Sequence, residues 1–129
     1  ENILCREKLC PVIQLFPYES FEQAVADAKT NLLWEGAGHT SVIYTNDTEK
    51  AEYVGHELPV GRLVVNQAGG AASGGNYING LHPTMSLGCG SWGNNSISEN
   101  LTYKHLMNTT RLAYYHDCTM PELDEVWKL

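Results

Sequence analysis

Positive charge is scarce in this sequence. Its 129 residues hold 8 Lys and Arg against 15 Asp and Glu, a formal net charge of −7. A nucleic-acid surface needs clustered basic side chains to displace phosphate counterions, so no nucleic-acid partner is expected. Long apolar runs are missing too. No stretch reaches the roughly 18 apolar residues of a membrane-spanning helix, so no membrane partner is expected. The five histidines are scattered without ligand spacing, so no metal site is expected. His116, Asp117 and Cys118 are contiguous, which in a strand or loop does not aim all three at one centre. There is no G-x-x-x-x-G-K-[ST], no H-E-x-x-H and no Ser/His/Asp pattern. Nor do the four cysteines, Cys5, Cys10, Cys89 and Cys118, form a C-x-x-C clip or a disulfide framework. They read as free thiols in a reducing cytoplasm, where the sequons at Asn46, Asn94, Asn100 and Asn108 carry no sugar. The first residue is Glu1, and no basic-then-apolar leader follows it. The chain is therefore expected to be processed or to be an excised part of a longer protein.

What is present is a 43% apolar chain, enough for one packed domain or a piece of one. "PVIQLFPY" (residues 11–18) mixes β-favouring residues and reads as a strand ending at Pro17. "SFEQAVADAKTNLLWEG" (20–36) reads as a helix, with Ser20 as N-cap and Gly36 as its stop. Phe21, Ala24, Val25, Ala28 and Leu32 recur at the three-four spacing of a buried face. "HTSVIYT" (39–45) is a second strand. Asp47 caps a second helix in "TEKAEYVGHEL", lined by Ala51, Val54 and Leu58. "GRLVVNQ" (61–67) is a third strand, apolar enough for burial on both faces. Strand–helix–strand–helix–strand with short links predicts an α/β fold with a parallel sheet.

The rest is less regular. "AGGAASGGNYING" (68–80) has five glycines in 13 residues, a density at which no packed element is expected. "YKHLMNTTRLAYYH" (103–116) is expected to end as a strand, and "PELDEVWKL" (121–129) to form a short helix with Pro121 at its first position.

Three residues draw attention for chemistry. His39 sits at a strand start, where an imidazole can hydrogen-bond a ribose or move a proton. The alternative is a histidine bonded locally to cap the strand. Glu7, in "CREKLCPV", can accept paired hydrogen bonds from ribose hydroxyls, as carboxylates do in dinucleotide sites. Flanked by Arg6 and Lys8, it also reads as a solvated surface charge. Cys89 lies between two glycines in "LGCGSWGNNSISEN" (87–100). A reactive thiolate needs a nearby base or cation, and its neighbours supply neither, so Cys89 is read as a packing residue.

Taken together, "REKLCPV", "GHTSVIYT", "GRLVVNQ" and "LGCGSWGNNSISENLTYKHLMNTTRLA" resemble the C-terminal portion of CoA-acylating aldehyde dehydrogenases. That group includes the aldehyde half of bifunctional aldehyde-alcohol dehydrogenases and the CoA-dependent succinate-semialdehyde dehydrogenases. The resemblance runs from about Arg6 to Ala113, and the block beginning "LGCGSWGNNSISEN" is its most specific part. It implies an oxidoreductase that interconverts an aldehyde and its acyl-CoA with NAD or NADP, with CoA as co-substrate. In this family a cysteine nucleophile forms a thiohemiacetal, hydride leaves to the nicotinamide, and the thioester passes to CoA. The nucleophile lies upstream of the motif matched by "REKLCPV". The resemblance therefore implies no catalytic residue in this chain and a chain inactive by itself. Glu7 matches the carboxylate that holds the nicotinamide-side ribose, while His39 and Leu87 match positions lining the same site. Cys10, where many relatives have Ser or Gly, and Gly93–Asn95, in place of a common "GGN", depart from the pattern.

The resemblance divides the chain into residues 1–67, from the catalytic domain; 68–103, Gly-rich loops near the active site; and 104–129, an oligomerising strand and terminal helix. It implies a homo-oligomeric parent acting in the cytoplasm, either free or inside a bacterial microcompartment. A hydrolytic aldehyde dehydrogenase is the alternative enzyme. A non-enzymatic interaction module, binding a partner through an exposed edge and the Gly loop, is the alternative outside enzymes.

Overall fold

The structure is a computed structural model that describes residues 3–119. Helix α1 spans Phe21–Trp34, and the hydroxyl of Ser20 accepts from the Gln23 amide at 3.1 Å, satisfying one of the free N–H groups of the first turn. Gly36 follows its end at φ +97°, a left-handed conformation that stops the helix without a Cβ penalty. Strand β1 is Gly38–Ile43 and helix α2 is Thr48–Glu57, capped by the Asp47 carboxylate on the Lys50 amide. Strand β2, Val60–Val65, runs parallel to β1, pairing Gly38 with Val60 and Val42 with Val64. Parallel neighbours need a crossover, and α2 supplies it. The chain is thus an α/β fragment whose described sheet has two strands.

Alternation along β2 gives the sheet two different faces. Leu63 packs with α1 and α2, whose Val25, Val54 and Leu58 form the apolar core alongside Phe21, Ala28, Leu32 and Ile43. On the other face Arg62 and Val64 are buried, beneath a short helix α3, Gly69–Ala72, and the loops that follow it. The sheet continues past its last strand residues through a side chain. Asn66, at φ +54°, accepts from the Thr45 amide at 2.9 Å and donates to the Thr45 carbonyl at 2.8 Å.

Three expectations from the sequence are corrected here. Residues 11–18 form no strand, and Ile13 and Leu15 are exposed. Pro11 and Pro17 remove ladder donors, and no other described strand pairs with the segment. Residues 104–115 form no strand either: a 3-10 turn covers Tyr103–Leu106, and the chain beyond it is exposed and unpaired. Extended propensity yields a strand only where a neighbouring ladder receives it. Third, the Gly-rich stretch does hold a packed element, α3, with Ala72 and Ser73 buried. Its carbonyl end is satisfied from far away in the sequence: Asn79 donates to the Ala72 carbonyl at 2.9 Å and Asn100 to that of Ser73 at 3.0 Å. The expected helix over 121–129 lies outside the described residues.

Candidate functional site

The residues singled out in the sequence lie around the amino end of β1. His39 is its second residue. Its N–H donates to the Gly36 carbonyl at 3.1 Å, and its exposed imidazole places Nδ1 3.0 Å from Thr40 Oγ1. The strand-capping interaction is therefore present, and the ring is also open to solvent. Glu7 is exposed, and its backbone N–H donates to Glu35 Oε2 at 2.6 Å. Arg6 Nη1 lies 4.0 Å from the other oxygen of the same carboxylate. Glu35 is the C-cap of α1 and precedes the turn into β1. Glu7 is thus tied to the end of α1, ahead of the turn that leads to His39.

Leu87 is half-buried and bridges antiparallel to Asn100. Two further bonds, Gly88 N–H to the Glu99 carbonyl at 3.0 Å and Gly90 N–H to that of Ile97 at 2.7 Å, make residues 87–100 a tight, self-bonded loop. That loop presses on the start of β1. A Cβ built on Gly38, at φ +83°, would stand 2.0 Å from the Cys89 carbonyl oxygen, and one on Gly93 would stand 2.4 Å from Cys89 Cβ. Two glycines are needed so that Cys89 can pass between them. Its N–H donates to Asn95 Oδ1 at 2.9 Å, and its thiol approaches the Leu87 carbonyl at 3.9 Å. These are packing contacts around a half-buried side chain. All four cysteines are free.

Two residues that matter here were missed in the sequence. Arg62 is 5% exposed, although arginine is almost never buried without a partner. Its Nε donates to Thr40 Oγ1 at 3.2 Å, and Nη1 donates to the Gly88 carbonyl at 2.9 Å and Asn100 Oδ1 at 3.4 Å. Nη2 donates to the carbonyls of His39 at 2.9 Å and Gly38 at 3.4 Å. Asn100, 4% exposed, donates onward to the Ser73 and His82 carbonyls. Its amide is consumed by the fold, so this sequon is a structural residue. The available signal was an arginine inside an otherwise apolar strand, "GRLVV".

At the opposite end of β1 an apolar groove of about 540 Å³ is lined by Phe21, Val25, Val42, Tyr44, Val54 and others, with Lys50 at its edge. Glu7, His39 and Leu87 do not line it. In open α/β sheets the carboxyl ends of strands form the usual ligand crevice; His39 lies at the other end of β1.

A family model described as the aldehyde dehydrogenase family matches residues 1–105. The succinate-semialdehyde dehydrogenase (acetylating) of Clostridium kluyveri is 49% identical over 128 residues, 98% of this chain and 28% of that protein. The sulfoacetaldehyde dehydrogenase (acylating) of Cupriavidus necator is 42% identical over 107 residues, 83% of this chain and 22% of that protein. A crystal structure of a probable aldehyde dehydrogenase from Listeria monocytogenes superposes with a TM-score of 0.80 at 34% identity, covering 95% of this chain and 26% of that one. An acetylating aldehyde dehydrogenase from Geobacillus thermoglucosidasius gives 0.69 at 36% identity, covering 79% and 22%. The chain spans about a quarter of the length of these relatives. The chain belongs to the aldehyde dehydrogenase family, among its CoA-acylating members.

Proposed function

We propose that this chain is a part of an acylating aldehyde dehydrogenase that interconverts an aldehyde and its acyl-CoA, using NAD or NADP and CoA. The observation that carries this reading is at the amino end of β1: the 87–100 loop presses on Gly38 beside the exposed His39, and the exposed Glu7 is tied by its N–H to Glu35, ahead of the turn into that strand. An exposed carboxylate suits a ribose diol, since it accepts from both hydroxyls. Glu7 would hold the nicotinamide-side ribose, His39 would donate or accept beside it, and Leu87 would pack against it. When bound, the dinucleotide supplies the hydride acceptor.

The nucleophilic cysteine is assigned to the part of the protein outside this chain, and Cys89 keeps a packing role. The exposed surface supports a chain that works against a larger body. It presents 10807 Å² at 14.3 kDa, where a compact protein of that mass presents about 6,800 Å². The exposed segment 107–115 is assigned as a contact with a second subunit of a homo-oligomer.

The test is kinetic. The 129-residue chain alone is expected to make no NAD(P)H from aldehyde and CoA, and the full protein carrying it to make it only with CoA present. CoA-independent turnover of aldehyde would favour the hydrolytic alternative. In the full protein Glu7→Gln keeps the shape but weakens charge-assisted bonds. It is expected to lower dinucleotide affinity about tenfold, read by dinucleotide titration, and unchanged affinity would remove Glu7 from the site.

A further inference from the structure

Arg62 has five N–H donors, and five acceptors surround it: Thr40 Oγ1, the carbonyls of Gly38, His39 and Gly88, and Asn100 Oδ1. No carboxylate is among these partners, so the buried charge is spent entirely on carbonyl, amide and hydroxyl oxygens. Three of the acceptors belong to consecutive residues at the start of β1, and the fourth to the glycine following Leu87. The fifth, Asn100, bridges to Leu87 across the loop. One guanidinium therefore sets the position of β1 relative to the 87–100 loop.

Thr40 carries the consequence to the exposed ring. Its Oγ1 lies 3.2 Å from Arg62 Nε and 3.0 Å from His39 Nδ1. A guanidinium only donates, so the hydroxyl oxygen accepts from Arg62 and its own hydrogen is free to point at His39. An Nδ1 that accepts this hydrogen leaves the neutral imidazole protonated on Nε2, the nitrogen that faces away from Thr40.

We propose that Arg62, acting through Thr40, is the positioning residue that holds His39 in its Nε2–H tautomer, aiming a hydrogen-bond donor at the dinucleotide. The assignment rests on the acylating dehydrogenase reading for the identity of the ligand; the tautomer does not depend on it. Lysine could not substitute, because three donors on a flexible stem cannot serve five acceptors.

The decisive variant is Thr40→Val, which removes the relay and leaves four of the five Arg62 bonds in place. The full protein, with 15N-labelled histidine side chains, is expected to show neutral His39 as a single Nε2–H tautomer. Thr40→Val is expected to relax it to a mixture of both tautomers. The same variant is expected to raise the dinucleotide KM about fivefold while the CoA KM stays within twofold. In Arg62→Lys, which keeps the charge but not the fan, the amides of Gly88 and Gly90 are expected to lose hydrogen-exchange protection as well. The proposal is overturned by an Nδ1–H tautomer in the wild type, or by an unchanged tautomer in Thr40→Val. Parallel rises in both KM values would also overturn it. Should the full protein show no aldehyde and CoA turnover at all, the functional reading fails, and the tautomer measurement still decides the role of Arg62.

Discussion

The two faces of the small sheet are built by different physics. Toward α1 and α2 the chain buries Val25, Val54 and Leu58, and stability follows apolar area removed from water, at about 25 cal/mol per Å². Toward the 87–100 loop the chain buries Arg62 and Asn100, whose donors satisfy carbonyls of the loops and of the start of β1. The first face tolerates changes of shape within limits. The second depends on each donor meeting its acceptor, because a buried carbonyl left alone costs about 1–3 kcal/mol. The backbone carbonyl of His39 is one acceptor of this polar face, and Leu87 precedes another, Gly88.

Three substitutions sharpen this contrast. Gly38→Ala is expected to be the most damaging. It adds a methyl group where the Cys89 carbonyl oxygen already stands, at a φ of +83° that side chains rarely adopt. A loss of about 4 kcal/mol or more is expected by chemical denaturation, since backbone overlap and left-handed strain add. A loss under about 1 kcal/mol would mean the loop does not press on the strand. Val54→Ala, on the apolar face, is expected to cost about 2–3 kcal/mol, the transfer and cavity terms for a buried branched side chain. Dinucleotide affinity should be unaffected, because the core lies on the far face. If Val54→Ala weakens dinucleotide binding as strongly as Gly38→Ala does, the two faces are not independent. Asp47→Ala removes the N-cap of α2 and is expected to cost about 1 kcal/mol, read as a fall in thermal midpoint with kinetics unchanged.

Legibility in the sequence followed the range of the interactions. Both long helices were readable because their signals are local: Ser20 and Asp47 as caps, an apolar residue every third or fourth position, and Gly36 as a stop. Strands β1 and β2 were readable for the same reason, and each was met within two residues of its expected ends. Residues 11–18 misled because apolar and β-branched composition measures fitness for a sheet, and no ladder was there to accept them. The glycine-rich stretch misled in the opposite sense. Its helix is held by Asn79 and Asn100, from 7 and 27 residues downstream of the carbonyls they bind.

Of the candidate site, Leu87 was reached by resemblance alone, and resemblance decided between the local alternatives for Glu7 and His39, since nothing local distinguishes Glu7 from a solvated charge. Local sequence alone determined the helices, their caps, the two paired strands and the apolar face, because these depend on backbone propensity and on periodicity within a few residues. Only the tertiary structure decided that Arg62 turns inward, that Cys89 threads between Gly38 and Gly93, and that Glu7 is tied to the turn before His39. Each of those depends on a hydroxyl, a carboxylate or a glycine supplied from 22 to 51 positions away, and no local pattern carries that information.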